Sequence, residues 1–267
     1  MKRYRSAETG VELLEAGRST FIYPDATSSA WRDFLAWESL GNIPEPPVAR
    51  PYAASEARRK KLWIVGAGGF GRQVFSMATG AIGAGAEWHV AGFLNDVPEA
   101  LDGFPGYPPI CGGTDYEPLA DDVFFCAIGD LAGREKVCAG LRSRGAHFIN
   151  LFEPNTLISP SAVFGEGIAL EGFTGVGSNA RIGSFSFILG HVNIAHDVVI
   201  GEYVQVSPFA CLLGRVEVGD GSMIGSHAVV LPGIKIGRRA TVGAGAVVVK
   251  NVPDGETVFG VPAMRLR

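Results

Sequence analysis

Five histidines are the chain's most versatile proton-handling groups: His89, His147, His191, His196 and His227. His196 is followed directly by Asp197, a carboxylate able to bias the tautomer of the imidazole and raise its basicity, as a general base requires. A second chemical feature is the stretch LWIVGAGGFGRQV at 62–74. An apolar run ends there in a turn containing Gly66, Gly68, Gly69 and Gly71, and a helix pattern follows. The backbone N–H groups of such a turn, with the helix N-terminus behind them, bind phosphate. A dinucleotide site also needs an acidic residue about 20 positions on and a full doubly wound sheet. Asp96 lies 30 positions after Gly66, so the glycine pattern alone leaves its ligand open. Cys111, Cys126, Cys138 and Cys211 form no CxxC pair and are expected to be structural thiols in a reducing compartment.

The elements that must position these groups follow from periodicity. KLWIVGAGG reads as a buried strand entering the turn, and GRQVFSMA as a helix. HVAGFLND and DVFFCAIGD read as further strands, with a last helix over GREKVCAGLRSRG. This is a compact βαβ unit with a parallel sheet, over 61–150.

From 162 onward every sixth residue is apolar. The series runs through Phe164, Leu170, Val176, Ile182 and Ile188 to Val242 and Val248, fifteen positions without a break. Small residues often stand two places earlier, and glycine often follows. A six-residue strand-turn unit with one inward aliphatic builds a parallel β-helix with three faces and 18 residues per coil. Five coils would stand ~24 Å tall at about 4.8 Å per stacked strand. Inward positions being aliphatic, His191, His196 and His227 belong at corners or outer sites, whereas His89 in a strand and His147 at the junction read as structural. Residues 18 apart stack, so Ser178, His196, Gly214, Pro232 and Lys250 form one column. The Gly214 N–H then lies one coil beyond His196 with no side chain in the way, where a donor would steady a tetrahedral oxyanion. The next column brings Arg215 beside Asp197.

Composition narrows the partners. With 23 Lys+Arg against 27 Asp+Glu and no basic block, nucleic acid is not an expected partner. The start MKRYRSAETG lacks the apolar region of a signal peptide and the longest apolar run, 123–128, is too short to cross a bilayer, so a cytoplasmic protein is expected. Residues 1–60 read as an N-terminal arm and linker. They hold one amphipathic helix over 28–41, opened by Ser28 or Ser29 and stopped by Gly41, then the proline-rich 42–51 and the charged 55–61.

IGSFSFILG, IGEYVQVSP and GVPA at 260–263 resemble the left-handed β-helix, or hexapeptide-repeat, acyltransferases. Adding the GAGGFG turn, the GFLND strand, the AIGD strand with Arg134 after it and the AHD step narrows the resemblance. Over about 62–267 the chain is similar to the sugar acetyltransferases of the bacillosamine, perosamine and sialic acid O-acetyltransferase type. The resemblance implies an α/β Rossmann-like βαβ domain followed by a left-handed β-helix over 151–251, a C-terminal tail over 252–267, and a homotrimer. It implies acetyl-CoA as acyl donor and a nucleotide-linked amino-deoxysugar as acceptor, with no metal. Gly66, Gly68, Gly69 and Gly71 would cradle the diphosphate and Asp96 would face the sugar or nucleoside. IAHDVVIGEY matches the family's catalytic step, making His196 the base, Asp197 its partner and the Gly214 N–H the oxyanion donor. Gly214, Ala244, Lys250 and Arg265 would contact coenzyme A.

Three positions depart from the family pattern. Phe70 replaces a histidine of the turn, Leu189 an asparagine, and Gln205 a second histidine nine residues after the base. Three other readings stay open: O-acetylation of a sialic acid or related sugar, a noncatalytic sugar-nucleotide scaffold, and a metal site between subunits using His191, His196 and His227.

Overall fold

The computed structural model describes residues 3–7, 10–15, 18–22, 29–40, 59–80 and 86–266. The chain divides into two units, Met1–Arg58 and Arg59–Arg267. In the first, β1 (Arg3–Ala7), β2 (Gly10–Glu15) and β3 (Arg18–Ile22) form an antiparallel meander, followed by α1 (Ser29–Ser39). Phe34 of α1 is buried and stacks on Trp37 at 6.2 Å between ring centroids. The sequence reading anticipated the helix and overlooked the three strands. The expected helix boundaries at Ser28 and Gly41, the proline-rich 42–51 and most of the charged 55–61 lie outside the described residues.

The second unit begins with a parallel sheet. β4 (Lys60–Val65) runs into the glycine turn and α2 (Gly69–Thr79); β5 (Trp88–Leu94), β6 (Ile110–Gly112), β7 (Asp122–Cys126) and α3 (Leu131–Ser143) follow. The order is β6-β5-β4-β7, with every pair parallel. β4 and β7 are continuous apolar runs because both faces are covered: Leu62, Ile64, Val65, Phe124 and Phe125 are fully buried. α3 starts where the Asp130 carboxylate accepts the Gly133 N–H at 2.7 Å. β6 is a short edge strand that periodicity alone does not reveal. All four cysteines are free; Cys126 at the end of β7 and Cys138 on α3 are buried neighbours.

From Leu151 the chain winds into a parallel β-helix of two-residue strands on three faces, paired at a spacing of 18 residues until Thr241–Val242, which pairs 16 residues on with Thr257–Val258. Face A carries 151, 169, 187, 205, 223 and 241; face B carries 157, 175, 193, 211, 229 and 247; face C carries 163, 181, 199, 217 and 235. The aliphatic series from Val176 to Val248 is buried throughout, with Ala180, Ala210, Ala228 and Ala240 filling the corners. Phe152 and Ile158 extend the hexad phase below Phe164 and pack on the same core. From Gly167 to Gly245 the corners turn through left-handed residues, including His191, Asp197, Phe209, Arg215 and His227 at φ 60–64°.

The βαβ domain is seated on face A. Phe187 meets Phe70 at 4.6 Å and Phe125 at 6.1 Å, and the buried Arg134 guanidinium lies 4.1 Å over its ring. Arg134 also donates to the Tyr203 carbonyl at 2.8 Å, and Arg239 holds both oxygens of Glu135 at 2.8 Å. α3 is thereby strapped along the corner between faces C and A.

Candidate active site

The corner between faces B and C presents the first group of residues. The register Gly175–Asn193–Cys211–Val229–Val247 puts Ser178, His196, Gly214, Pro232 and Lys250 in one column, as the 18-residue spacing requires. The His196 ring lies across Gly214: a Cβ on that glycine would stand 2.6 Å from Nε2 and 2.7 Å from Cε1. The opposite ring nitrogen, Nδ1, is 2.8 Å from the Asp197 carboxylate, so Nδ1 donates to it and, in the neutral ring, Nε2 is the acceptor. Asn179, one coil below, donates to the other Asp197 oxygen at 3.1 Å. Hydrogen bonds from His196 first and Asn179 second hold the Asp197 carboxyl below its ordinary pKa, so it stays ionised beside the ring. Arg215 forms no ion pair with Asp197 among the described residues; its backbone N–H donates to the His196 carbonyl instead. The Gly214 N–H donates to no carbonyl among the described residues. Asn179 was missed by sequence reasoning, although its spacing of 18 from Asp197 is the signal that identifies it.

The glycine turn sorts its residues by geometry. Gly66 has φ +101° and is crowded by Ile128, and a Cβ on Gly71 would stand 2.0 Å from the Gly66 carbonyl oxygen; these two let the strand pass directly into the helix. Around Gly68 and Gly69 nothing lies within 4 Å of an added Cβ, which leaves the start of α2 open to a ligand's close approach. The Ala67 N–H is held by Asn95 at 3.2 Å. Asp96 is turned toward Thr114, accepting from its N–H at 2.7 Å and its hydroxyl at 2.9 Å, and so anchors the loop after β6.

The remaining sequence candidates disperse. Ala244 is exposed with no carbonyl acceptor for its N–H, Lys250 is exposed, and Arg265 pairs with Glu256 at 3.1 Å. Leu189 packs under the βαβ domain with Phe70 and Phe187, and Gln205 sits between Phe187 and Met223 on face A. His191 and His227 share the corner between faces A and B, a full face away from His196, so within one chain the three do not converge on one ion. Among the described residues no cluster of His, Cys, Asp and Glu has metal-binding geometry. No described helix is long and apolar enough to cross a membrane.

Comparison with known proteins matches this arrangement. Residues 61–141 match the PglD N-terminal domain, and 215–250 the bacterial transferase hexapeptide repeat. The chain is 31% identical over 145 residues to GDP-perosamine N-acetyltransferase of Escherichia coli O157:H7, covering 53% of this chain; it spans 64% of that curated relative's length. Among solved structures, the acetyltransferase domain of PglB from Neisseria gonorrhoeae, in complex with acetyl coenzyme A, superposes with TM-score 0.70 at 29% identity, covering 78% of this chain and 100% of that one. A histidine-to-asparagine variant of perosamine N-acetyltransferase from Caulobacter crescentus, in complex with CoA and GDP-perosamine, gives 0.70 at 29% over 78% and 97%. WeeI from Acinetobacter baumannii AYE gives 0.67 at 32% identity over 77% of this chain and 99% of its own. With the βαβ domain, the three-faced coil and near-complete coverage of these structures in agreement, the chain belongs to the left-handed β-helix, hexapeptide-repeat sugar acetyltransferases.

Proposed function

We propose that the protein transfers the acetyl group of acetyl-CoA to the amine of a nucleotide-linked amino-deoxysugar. The observation that carries this is the His196 imidazole, fixed at Nδ1 by Asp197 and lying across Gly214 with Nε2 on the far side of the ring from the carboxylate. A neutral amine attacks the thioester carbonyl while Nε2 takes its proton. The Gly214 N–H donates to the oxyanion that forms, and collapse expels the coenzyme A thiolate, which takes the proton back from the imidazolium. Asp197 offsets the positive charge the ring carries between the two transfers. The family's complexes with acetyl coenzyme A, and with CoA and GDP-perosamine, support this choice of donor and acceptor class.

The acceptor's diphosphate is assigned to the N–H groups of Gly68 and Gly69, with Gly66 and Gly71 shaping the turn and the free lone pairs of Asp96 facing the sugar or nucleoside. Ala244, Lys250 and Arg265 are assigned to coenzyme A, together with Gly214. One geometric fact bears on assembly: the turn rests on face A, and His196 occupies the prism edge opposite that face. A face of six residues is up to roughly 20 Å wide. This supports assigning an acceptor held at one chain's turn to the His196 of a neighbouring copy, as a homotrimer with sites between its subunits would provide. A cytoplasmic location fits soluble, sugar-nucleotide substrates of this kind.

The test is thiol release from acetyl-CoA with a panel of UDP-, GDP- and dTDP-linked 4-amino sugars beside free sialic acid. Turnover with one aminosugar nucleotide is expected. Turnover with sialic acid alone would replace N- by O-acetylation, and silence across the panel would refute the substrate assignment.

A further inference from the structure

Arg134 on α3 is 2% exposed. Its guanidinium donates to the Tyr203 carbonyl at 2.8 Å and to the Ile128 carbonyl at 3.4 Å, and its buried Nε has no partner. Both acceptors are neutral. Among the described residues no carboxylate pairs with it: Glu135, the next residue on α3, is held by Arg239, and Glu166 by Arg142. An arginine keeps its charge when buried, so a cation removed from water to this extent calls for a countercharge nearby.

Two thiols flank it. Cys138 lies one turn further along α3, on the same helix face by its spacing of four. Cys126 closes β7, two residues before the Ile128 carbonyl that Arg134 engages. They are 0% and 1% exposed and pack in one cluster with Val65 of β4, Leu94 of β5 and Phe124 of β7. A hydrogen bond from the Cys138 thiol lowers the Cys126 pKa against the opposing effect of burial, and the Ile128 N–H and the Arg134 charge act in the same direction. The same bond and burial push the Cys138 thiol up, so that it keeps its proton.

We propose that Cys126 is a thiolate, capped by the Cys138 S–H, and is the countercharge of the buried Arg134. The other charged or titratable groups around the pair do not take that place. Arg142 and Glu135 on α3 are engaged elsewhere, and burial pushes the Tyr203 phenol on the coil up to about 12, which leaves it neutral. Since Arg134 reaches from α3 to the Tyr203 carbonyl and the Phe187 ring, the ion pair is a clasp that fastens the βαβ domain to face A. A pKa lower in the folded chain than in the unfolded one stabilises fully above the ordinary thiol value, roughly 8.5. That stabilisation is lost as pH falls through the folded value, which makes the clasp acid-sensitive.

The full chain is labelled with 13C at the cysteine Cβ atoms and followed by NMR from about pH 5 to about pH 10. One resonance is expected to stand at the thiolate position at neutral pH, where an ordinary thiol is only a few per cent ionised, and to be missing from Cys126→Ser. Arg134→Met keeps the apolar stem over Phe187 and should raise the pH at which that resonance titrates by at least about one unit, tenfold in proton affinity. Four protonated cysteines at neutral pH, an ionised cysteine other than Cys126, or a titration indifferent to Arg134→Met would overturn the proposal. Should Arg134→Met not fold, thermal unfolding of Cys126→Ser decides the matter. Its deficit in melting temperature relative to the unmodified chain should be larger at about pH 9 than at about pH 6; a deficit independent of pH contradicts the clasp. No substrate enters either experiment, so the acetyl-transfer reading stands or falls separately.

Discussion

The His196 ring occupies the space that a side chain on Gly214 would fill, its Nε2 standing 2.6 Å from the point where a Cβ would begin. Gly214→Ala is therefore expected to push the imidazole out of its column and to lower kcat by 100-fold or more, on the order of losing an oxyanion donor or a placed base. Gly214 is buried, but the group its new methyl would meet is the exposed His196 ring, which can swing into solvent, so the melting temperature should change little; steady-state kinetics alongside thermal unfolding tests both halves of the expectation.

Asp197 acts through the ring it holds, not on the substrate. Asp197→Ala should lower kcat about 10- to 100-fold with both KM values unchanged. Asn179→Ala, which removes the second hydrogen bond to that carboxylate, should produce a smaller drop in the same parameter. A change confined to KM would argue that the pair contacts substrate directly.

The glycines of the turn should separate into two classes. Gly71→Ala places a methyl 2.0 Å from a carbonyl oxygen and is expected to cost more than about 3 kcal/mol of stability. Gly68→Ala meets open space at an allowed φ of −70°, so the protein should fold normally and show a raised KM for the nucleotide sugar alone. Denaturant titration and kinetics on the two variants decide this.

Glu171 is buried beside face A, where its carboxylate accepts from Gln73 at 2.6 Å and from the Gly190 N–H at 2.9 Å. Burial outweighs these bonds and raises its pKa above the ordinary glutamate value. The folded state therefore holds this proton to higher pH than the unfolded chain does. Its contribution is greatest below the unfolded pKa and declines as pH rises through the folded one. Glu171→Gln should flatten the decline in melting temperature across that interval; an unchanged pH profile would contradict it.

How much of this was legible in the sequence depended on whether a feature is periodic. The coil was readable because one inward aliphatic per hexad is a local requirement, met from Val176 to Val248. The same spacing correctly set His196 over Gly214 and identifies Asn179 under Asp197. A column of stacked aromatic rings at Phe173, His191, Phe209 and His227 repeats just as strictly and was passed over, because attention to inward positions hides regularity at the corners. Contacts between distant segments were not readable. Thr114 engaging both oxygens of Asp96 and the Glu135–Arg239 strap depend on how loops close across the sheet. The three strands of the first unit, paired as two antiparallel hairpins, were missed because polar residues interrupt their alternation.

The most direct test of the central claim is single-turnover and steady-state acetyl transfer by His196→Ala, using the aminosugar nucleotide that the unmodified enzyme accepts. The account predicts a fall in kcat of roughly 100- to 10,000-fold with the KM for acetyl-CoA and for the acceptor preserved. A loss of less than about tenfold would contradict the account, showing that no base resides at His196 and that the amine's proton is taken elsewhere.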